Sequence, residues 1–117
     1  MITLLRLEGL AIALAALVAY HLSGSSWWLF AILILVPDLS FAAYKAGPVA
    51  GAYAYNALHS WIGPAVLIGG ALLFGWPQIL AIGLIWAVHI GGDRALGYGL
   101  KHLSGFRDTH LGRIGKD

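Results

Sequence analysis

Six side chains stand out because they place charge where charge is expensive. Glu8, Asp38, His59, His89, Asp93 and Arg94 all lie within or against long apolar stretches of the chain. His89 and Asp93 are spaced i and i+4, which stacks them on one face of a helix. Tyr55 and Asn56 precede His59 by four and three residues and share its face. Imidazole nitrogens mixed with carboxylate oxygens suit zinc, manganese or iron, whereas magnesium and calcium prefer oxygen alone. Asp38, His59, His89 and Asp93 are therefore the expected ligands of a divalent transition metal, with Tyr55 and Asn56 lining its surroundings. Such an ion would activate water or polarise an ester or phosphoryl oxygen, with Glu8 or Asp38 as general base and Arg94 holding an anionic group.

The elements that must carry these groups are membrane spans. Only 10% of the 117 residues are charged and 60% are apolar, with a mean hydropathy of +0.82. A soluble domain carries roughly 25% charged residues. This excludes disorder, an ordinary cytosolic enzyme and nucleic-acid binding through a basic face. The absence of cysteine excludes disulfides and thiolate metal sites. Residues 9–37 and 46–92 contain no Asp, Glu, Lys or Arg. A span needs about 20 apolar residues. His21-Leu22-Ser23-Gly24-Ser25-Ser26 breaks the first run, Gly75-Trp76-Pro77 breaks the second, and Lys45-Ala46-Gly47-Pro48 separates the two. The expected fold is all-α: an integral membrane four-helix bundle over residues 1–100, with up-down-up-down helices near 3–22, 26–45, 48–74 and 77–100. A cleaved signal peptide at the N-terminus is the competing reading. Glu8 before the apolar run and the lack of an Ala-x-Ala site speak against it.

All seven Lys and Arg residues fall on one side of this topology, at 6, 45, 94, 101, 107, 113 and 116. The positive-inside rule then makes both termini and the Lys45 turn cytoplasmic in a bacterial-type inner membrane. Trp27, Trp28 and Trp76 lie at the opposite interface. At 1.5 Å per residue, Asp38, His59, His89 and Asp93 come to about 10–18 Å from the cytoplasmic helix ends, with Glu8 at about 10 Å. Every helix thus contributes to one polar layer. Three carboxylates against Arg94 leave about −2, which protonation, a cation or a cationic ligand must balance. Pro37 and Pro64 each remove a backbone donor beside this layer, bending the helix and opening room for a cavity. Gly91 and Gly92 thin the fourth helix for close approach or a bend. Residues 101–117 form a polar, basic cytoplasmic tail. It is expected as a solvated segment near anionic headgroups, the alternative being that Asp108-Thr109-His110 folds back as a lid or ligand source.

Several stretches together resemble the bacterial membrane family described as domain of unknown function 4260. They are Arg6-Leu7-Glu8-Gly9, Ser26-Trp27-Trp28, Pro37-Asp38-Leu39-Ser40, Tyr55-Asn56 with His59, the run from His89 to Lys101, and Gly105-Phe106-Arg107-Asp108-Thr109-His110-Leu111-Gly112-Arg113. The resemblance implies a small four-helix membrane protein and brings no established activity. A looser similarity, in the order Pro37-Asp38, His59, then His89 with Asp93, runs to membrane-bound metal-dependent hydrolases. Of their longer His-Arg-x-x-Thr-His-Ser type of stretch this chain has only His59-Ser60.

Four readings follow. One is a metal-dependent membrane hydrolase acting on a lipid or lipid-like ester or phosphate. Another is a haem b protein with His59 and His89 as axial ligands. A third is a proton- or cation-coupled transporter working as a homo-oligomer, with Gly69, Gly70 and Ala71 at the interface. The last is a structural polar plug in which Arg94 neutralises one carboxylate and the histidines bond to Tyr55, Asn56 or the backbone.

Overall fold

The computed structural model of the chain describes residues 1–102 and 108–114, with the side chains of Asp108 and Arg113 left aside. Arg107 and Lys116 of the basic set, and residues 103–107 and 115–117 of the tail, lie outside the described residues.

Four segments are long and apolar enough to cross a membrane: Ile2–Ser23, Trp27–Ala46, Pro48–Phe74 and Pro77–Leu96. They match the expected spans, but two of them are not continuous α-helices. The first is helix α1, Ile2–Ser23, closed by Gly24 in the left-handed region at φ 72°. The second consists of α2, Trp27–Leu33, followed by a 3₁₀ segment, Val36–Ala46. The third is split into α3, Pro48–His59, and α4, Ile62–Phe74, with Ser60 extended between them. The fourth is α5, Pro77–Leu96.

Both interruptions have a proline cause. Pro37 cannot donate to Leu33, and its ring clashes with a helical carbonyl four residues back. The chain tightens instead, so that Asp38 N–H donates to Leu35 O at 3.0 Å. An eleven-residue 3₁₀ run is longer than usual, and its greater rise per residue helps a short segment cross the layer. Pro64 likewise leaves Ser60 O without its helical donor, and the helix restarts with Ala65 N–H donating to Trp61 O. The bends expected at Pro37 and Pro64 are thus complete breaks.

Helix α5 is the axis of the fold. Half of its span is buried within the chain, against 11–17% for the other three, so those three present most of their surface outward. Leu4, Leu14, Val18, Ile32, Leu35, Ile62, Leu72 and Leu73 are all exposed, as expected of side chains bathed in hydrocarbon. Ala16 and Tyr20 from α1 pack with Ala81, Leu84, Ile85 and Ala87 from α5 to form the core, covered by Leu29, Phe30 and Leu33. Nearer the tail, α1 and α5 come still closer. A Cβ on Gly9 would collide with Arg94, and one on Gly91 would collide with Gly9 O and Ala13. Gly92 faces open space, so of that glycine pair Gly91 alone makes the close approach to α1. Ala71, one of the small residues expected at an oligomer interface, is buried within the chain itself.

Helix α5 ends at Leu96, four residues short of the expected end at residue 100. Gly97 takes φ 92° and Tyr98 N–H donates back to Asp93 O at 2.8 Å, a Schellman-type closure. The described part of the tail then returns to the helices. Asp108–Thr109 pairs antiparallel with Gly112–Arg113, and Lys101 bridges to Thr109. Thr109 and Leu111 are buried. These tail residues are docked rather than solvated.

Candidate metal centre

The two breaks supply what orients the site. A carbonyl left without its helical N–H must find another donor. Ile34 O, freed by the 3₁₀ transition, accepts from His89 Nδ1 at 2.6 Å. Leu58 O and His59 O, freed at the end of α3, accept from Trp86 Nε1 at 2.6 Å and Arg94 Nη2 at 2.9 Å. His59 Nδ1 lies 2.9 Å from Tyr55 O, and the Tyr55 ring stacks on the imidazole at 3.7 Å between centroids. The orientation of both imidazoles is thereby fixed.

The consequence falls on the other ring nitrogens. A carbonyl oxygen only accepts, so each Nδ1 carries the proton and each neutral imidazole offers a lone pair at Nε2. Those two Nε2 atoms face each other at 3.1 Å. Asp38 Oδ1 lies 3.3 Å from His59 Nε2 and 3.1 Å from His89 Nε2. Asp93 Oδ2 lies 3.5 and 3.3 Å from the same two nitrogens. All four ligand atoms fall within 4.8 Å of one another. Both histidines are buried, and the Asp38 and Asp93 side chains are 32% and 22% exposed. One added proton bridges one such contact. A cation at the centre satisfies all of them together.

The spacing fits such an ion. Ligands about 2.0–2.1 Å from zinc in a tetrahedron stand about 3.3–3.4 Å apart. The five distances above span 3.1–3.5 Å and so bracket that edge. The Nδ1–carbonyl bonds are the outer-shell contacts that metal-binding histidines ordinarily make. The expected set of Asp38, His59, His89 and Asp93 is brought together as a buried group able to hold a metal.

Two cavities flank this group. One of about 200 Å³ is apolar, lined by Leu33, Val36, Pro37, Leu58, Leu67, Ile82, Ile85 and Trp86. The other, about 320 Å³, is a polar vestibule between the cluster and the tail, lined by Asp38, Phe41, Tyr55, Asp93, Tyr98, Lys101 and Ile114.

The remaining expected residues are placed elsewhere. Arg94 follows Asp93 by one position, which turns it about 100° around α5 toward α1. It is buried, donates to His59 O, and stands 2.9 Å from His110 Nε2 and 6.0 Å from the Trp61 ring. Arg94 thus closes the end of α3 and anchors the tail; it does not line the vestibule. Glu8 is exposed on α1 and borders a small separate pocket with Arg94, Trp61 and His110. Glu8 and Arg94, expected as general base and anion holder, thus border a different pocket from the one that Asp38 and Asp93 line: depth along a helix says nothing of the direction around it. Burial, with the Arg94 guanidinium nearby, lowers the His110 pKa and keeps that ring neutral. Asn56 serves the tail too, donating to Lys101 O at 2.8 Å and accepting from Lys101 N–H at 2.6 Å. Tyr55 borders the vestibule. Lys101, expected in a solvated polar tail, is only 4% exposed, with its ammonium 4.7 Å from the Tyr55 ring centroid.

No curated protein and no solved structure matches this chain. The family comparison accounts for almost all of it, with residues 2–114 matching a single model. The chain, with its four candidate spans and buried His/Asp group, belongs to the family described as domain of unknown function DUF4260.

Proposed function

We propose that this protein is a metal-dependent hydrolase of the bacterial inner membrane that cleaves a lipid or lipid-like ester or phosphate, working from the cytoplasmic leaflet. The observation that carries the reading is the convergence of four lone-pair atoms within 4.8 Å, two with their tautomer fixed by backbone carbonyls, with the histidine–histidine and histidine–carboxylate separations at 3.1–3.5 Å. Zinc, manganese or iron bound there supplies a Lewis acid and an activated water. Four protein atoms do not seal the site. Both carboxylates open onto the vestibule, so a metal held by this group would be approached by substrate from that side. Carboxylate movement on one of them gives Asp38 or Asp93 the reach to accept a proton. The flanking cavities suit an amphiphile, hydrocarbon toward the bilayer interior and polar group toward the tail.

This arrangement disfavours the haem reading. Two Nε2 atoms 3.1 Å apart leave no room for a porphyrin plane, and Asp38 and Asp93 occupy the same space. A transporter needs polar access from both sides, whereas the cavity opposite the vestibule is apolar. The test is elemental analysis of protein purified from membranes without chelator, followed by hydrolysis assays on short-chain carboxylic and phosphoric ester amphiphiles. One equivalent of transition metal, lost in His89→Ala, with metal-dependent cleavage of either ester, supports the proposal. A metal-free protein that takes up no zinc refutes it.

A further inference from the structure

Tyr55 carries a hydroxyl that the fold does not use. The residue is only 2% exposed, yet its hydroxyl has no hydrogen-bond partner among the described residues. Buried phenols ordinarily find one, as Tyr20 does at Ser26 O. The rest of Tyr55 is engaged. Its carbonyl accepts from His59 Nδ1, and its ring stacks on the His59 imidazole at 3.7 Å and on Phe41 at 5.5 Å between centroids. The hydroxyl is not sealed in either. It keeps accessible surface, and the cavity that Tyr55 lines is the vestibule it shares with Asp38 and Asp93. A phenol stacked on two rings cannot swing to another partner without giving up both contacts. The donor is thus held beside the buried His/Asp group, on the side that both carboxylates face. An O–H fixed in advance, in a site screened from bulk water, is suited to stabilise charge that develops on an oxygen.

We infer that the Tyr55 hydroxyl donates a hydrogen bond to the acyl or phosphoryl oxygen of a substrate bound at the His/Asp group, and that this bond strengthens as negative charge grows on that oxygen in the transition state. The inference rests on the proposed metal-dependent hydrolase and adds a catalytic residue to it. The O–H bond of Tyr55 stays intact throughout. Negative charge gathers on the substrate oxygen as the nucleophile adds and passes to the leaving group as its bond breaks.

The experiment compares wild type with Tyr55→Phe, which keeps both ring stacks and the backbone carbonyl and removes the hydroxyl alone. The full chain in neutral detergent is used throughout. Three quantities are measured: zinc stoichiometry, the unfolding midpoint without zinc, and kcat and KM for para-nitrophenyl hexanoate and hexyl para-nitrophenyl phosphate. The expected result is one zinc per chain in both proteins and an unfolding midpoint no lower in Tyr55→Phe. Its kcat should fall about a hundredfold with KM little changed, as for loss of one donor to a developing oxyanion. Equal kcat in the two proteins overturns the inference. So does a lower midpoint without zinc, since the hydroxyl would then have a structural partner, and so does loss of zinc, since it would then serve the ion. A rise in KM alone also overturns it, the bond then being as strong in the ground state as in the transition state. Wild type that takes up no zinc, or takes it up and cleaves neither ester, instead removes the metal or the hydrolase reading beneath the inference, and the inference with it.

Discussion

Replacing Asp93 by Asn should change stability in opposite directions with and without metal. The Asp38 and Asp93 ligand oxygens lie within 4.8 Å. Two unit charges at that separation repel by about 3.5 kcal/mol at an effective dielectric of about 20. Their partial exposure to the vestibule screens this to roughly 2 kcal/mol. Without metal, Asp93→Asn removes the repulsion and should be the more stable protein by about that amount. With zinc at a thousandfold excess over Kd, the wild type gains about 4.1 kcal/mol by mass action, and the variant, lacking one ligand charge, gains far less. The order then reverses, with wild type ahead by about 2 kcal/mol. Unfolding by a denaturing detergent, followed by the fluorescence of the five tryptophans, measures both conditions. An Asp93→Asn variant destabilised by the same amount with EDTA and with zinc would refute the metal argument. It would favour a plug in which Asp93 is simply a hydrogen-bond acceptor for protonated histidine.

Arg94→Ala should lose about 1.5–3 kcal/mol of stability, because it strands His59 O at a broken helix end, while zinc stoichiometry stays unchanged. Loss of zinc without loss of stability would return Arg94 to the site. Gly9→Val, which forces a side chain into Arg94 and Gly91, should destabilise by about 1–3 kcal/mol in the same detergent assay. Gly92→Ala, which meets open space, should stay within about 0.5 kcal/mol. Because the chain has no cysteine, single cysteines at positions 24 and 75 should react with an impermeant reagent in intact cells and one at 46 should not; the reverse pattern would invert the topology. Burial lowers the Lys101 pKa to about 8, against the opposing pull of Asp93. The same burial disfavours the folded state below pH 8 and is relieved between there and the ordinary lysine value, so this group's contribution to stability rises with pH across that window. Unfolding in the same detergent assay across that window checks this, and a wild-type slope equal to that of Lys101→Met would refute it.

The spans and the four residues of the buried His/Asp group were legible because both depend on one coordinate. Charge-free length marks a crossing, and counting residues from each end gives a depth, so residue order alone is enough to group Asp38, His59, His89 and Asp93 in one layer. Direction around the helix was harder. His89 and Asp93 share a face by their i, i+4 spacing, and the same arithmetic turns Arg94 away from Asp93, although depth alone groups them. Glu8 is a case the pattern could not decide, since nothing local says which face of α1 meets α5 until Gly9 and Gly91 are seen packed together. Pro37 and Pro64 announced a disturbance without its extent, because whether a helix bends or breaks depends on what satisfies the freed carbonyls. Here the side chains that do so are Trp86, Arg94 and His89, which stand 28, 35 and 55 residues from their acceptors in sequence. Lys101 left no signal. Its burial comes from Asn56 and from the return of Thr109, the first of these contacts spanning 45 residues of chain.

Those freed carbonyls tie the site to the fold more tightly than a ligand list suggests. In an unbroken α2 and α3, Ile34 O and His59 O would be used within their own helices, and neither His89 nor Arg94 would have an acceptor there. The breaks would then be a net loss in hydrocarbon, where an unpaired backbone group costs several kcal/mol. Side chains from α5 remove that loss, and in doing so they set the imidazole of His89 with its lone pair facing His59 and both carboxylates. The irregular backbone lies where it lines the site and its apolar neighbour, as membrane-embedded breaks must. The same substitutions that would regularise the helices, at Pro37 or Pro64, would therefore disorient site residues they do not touch.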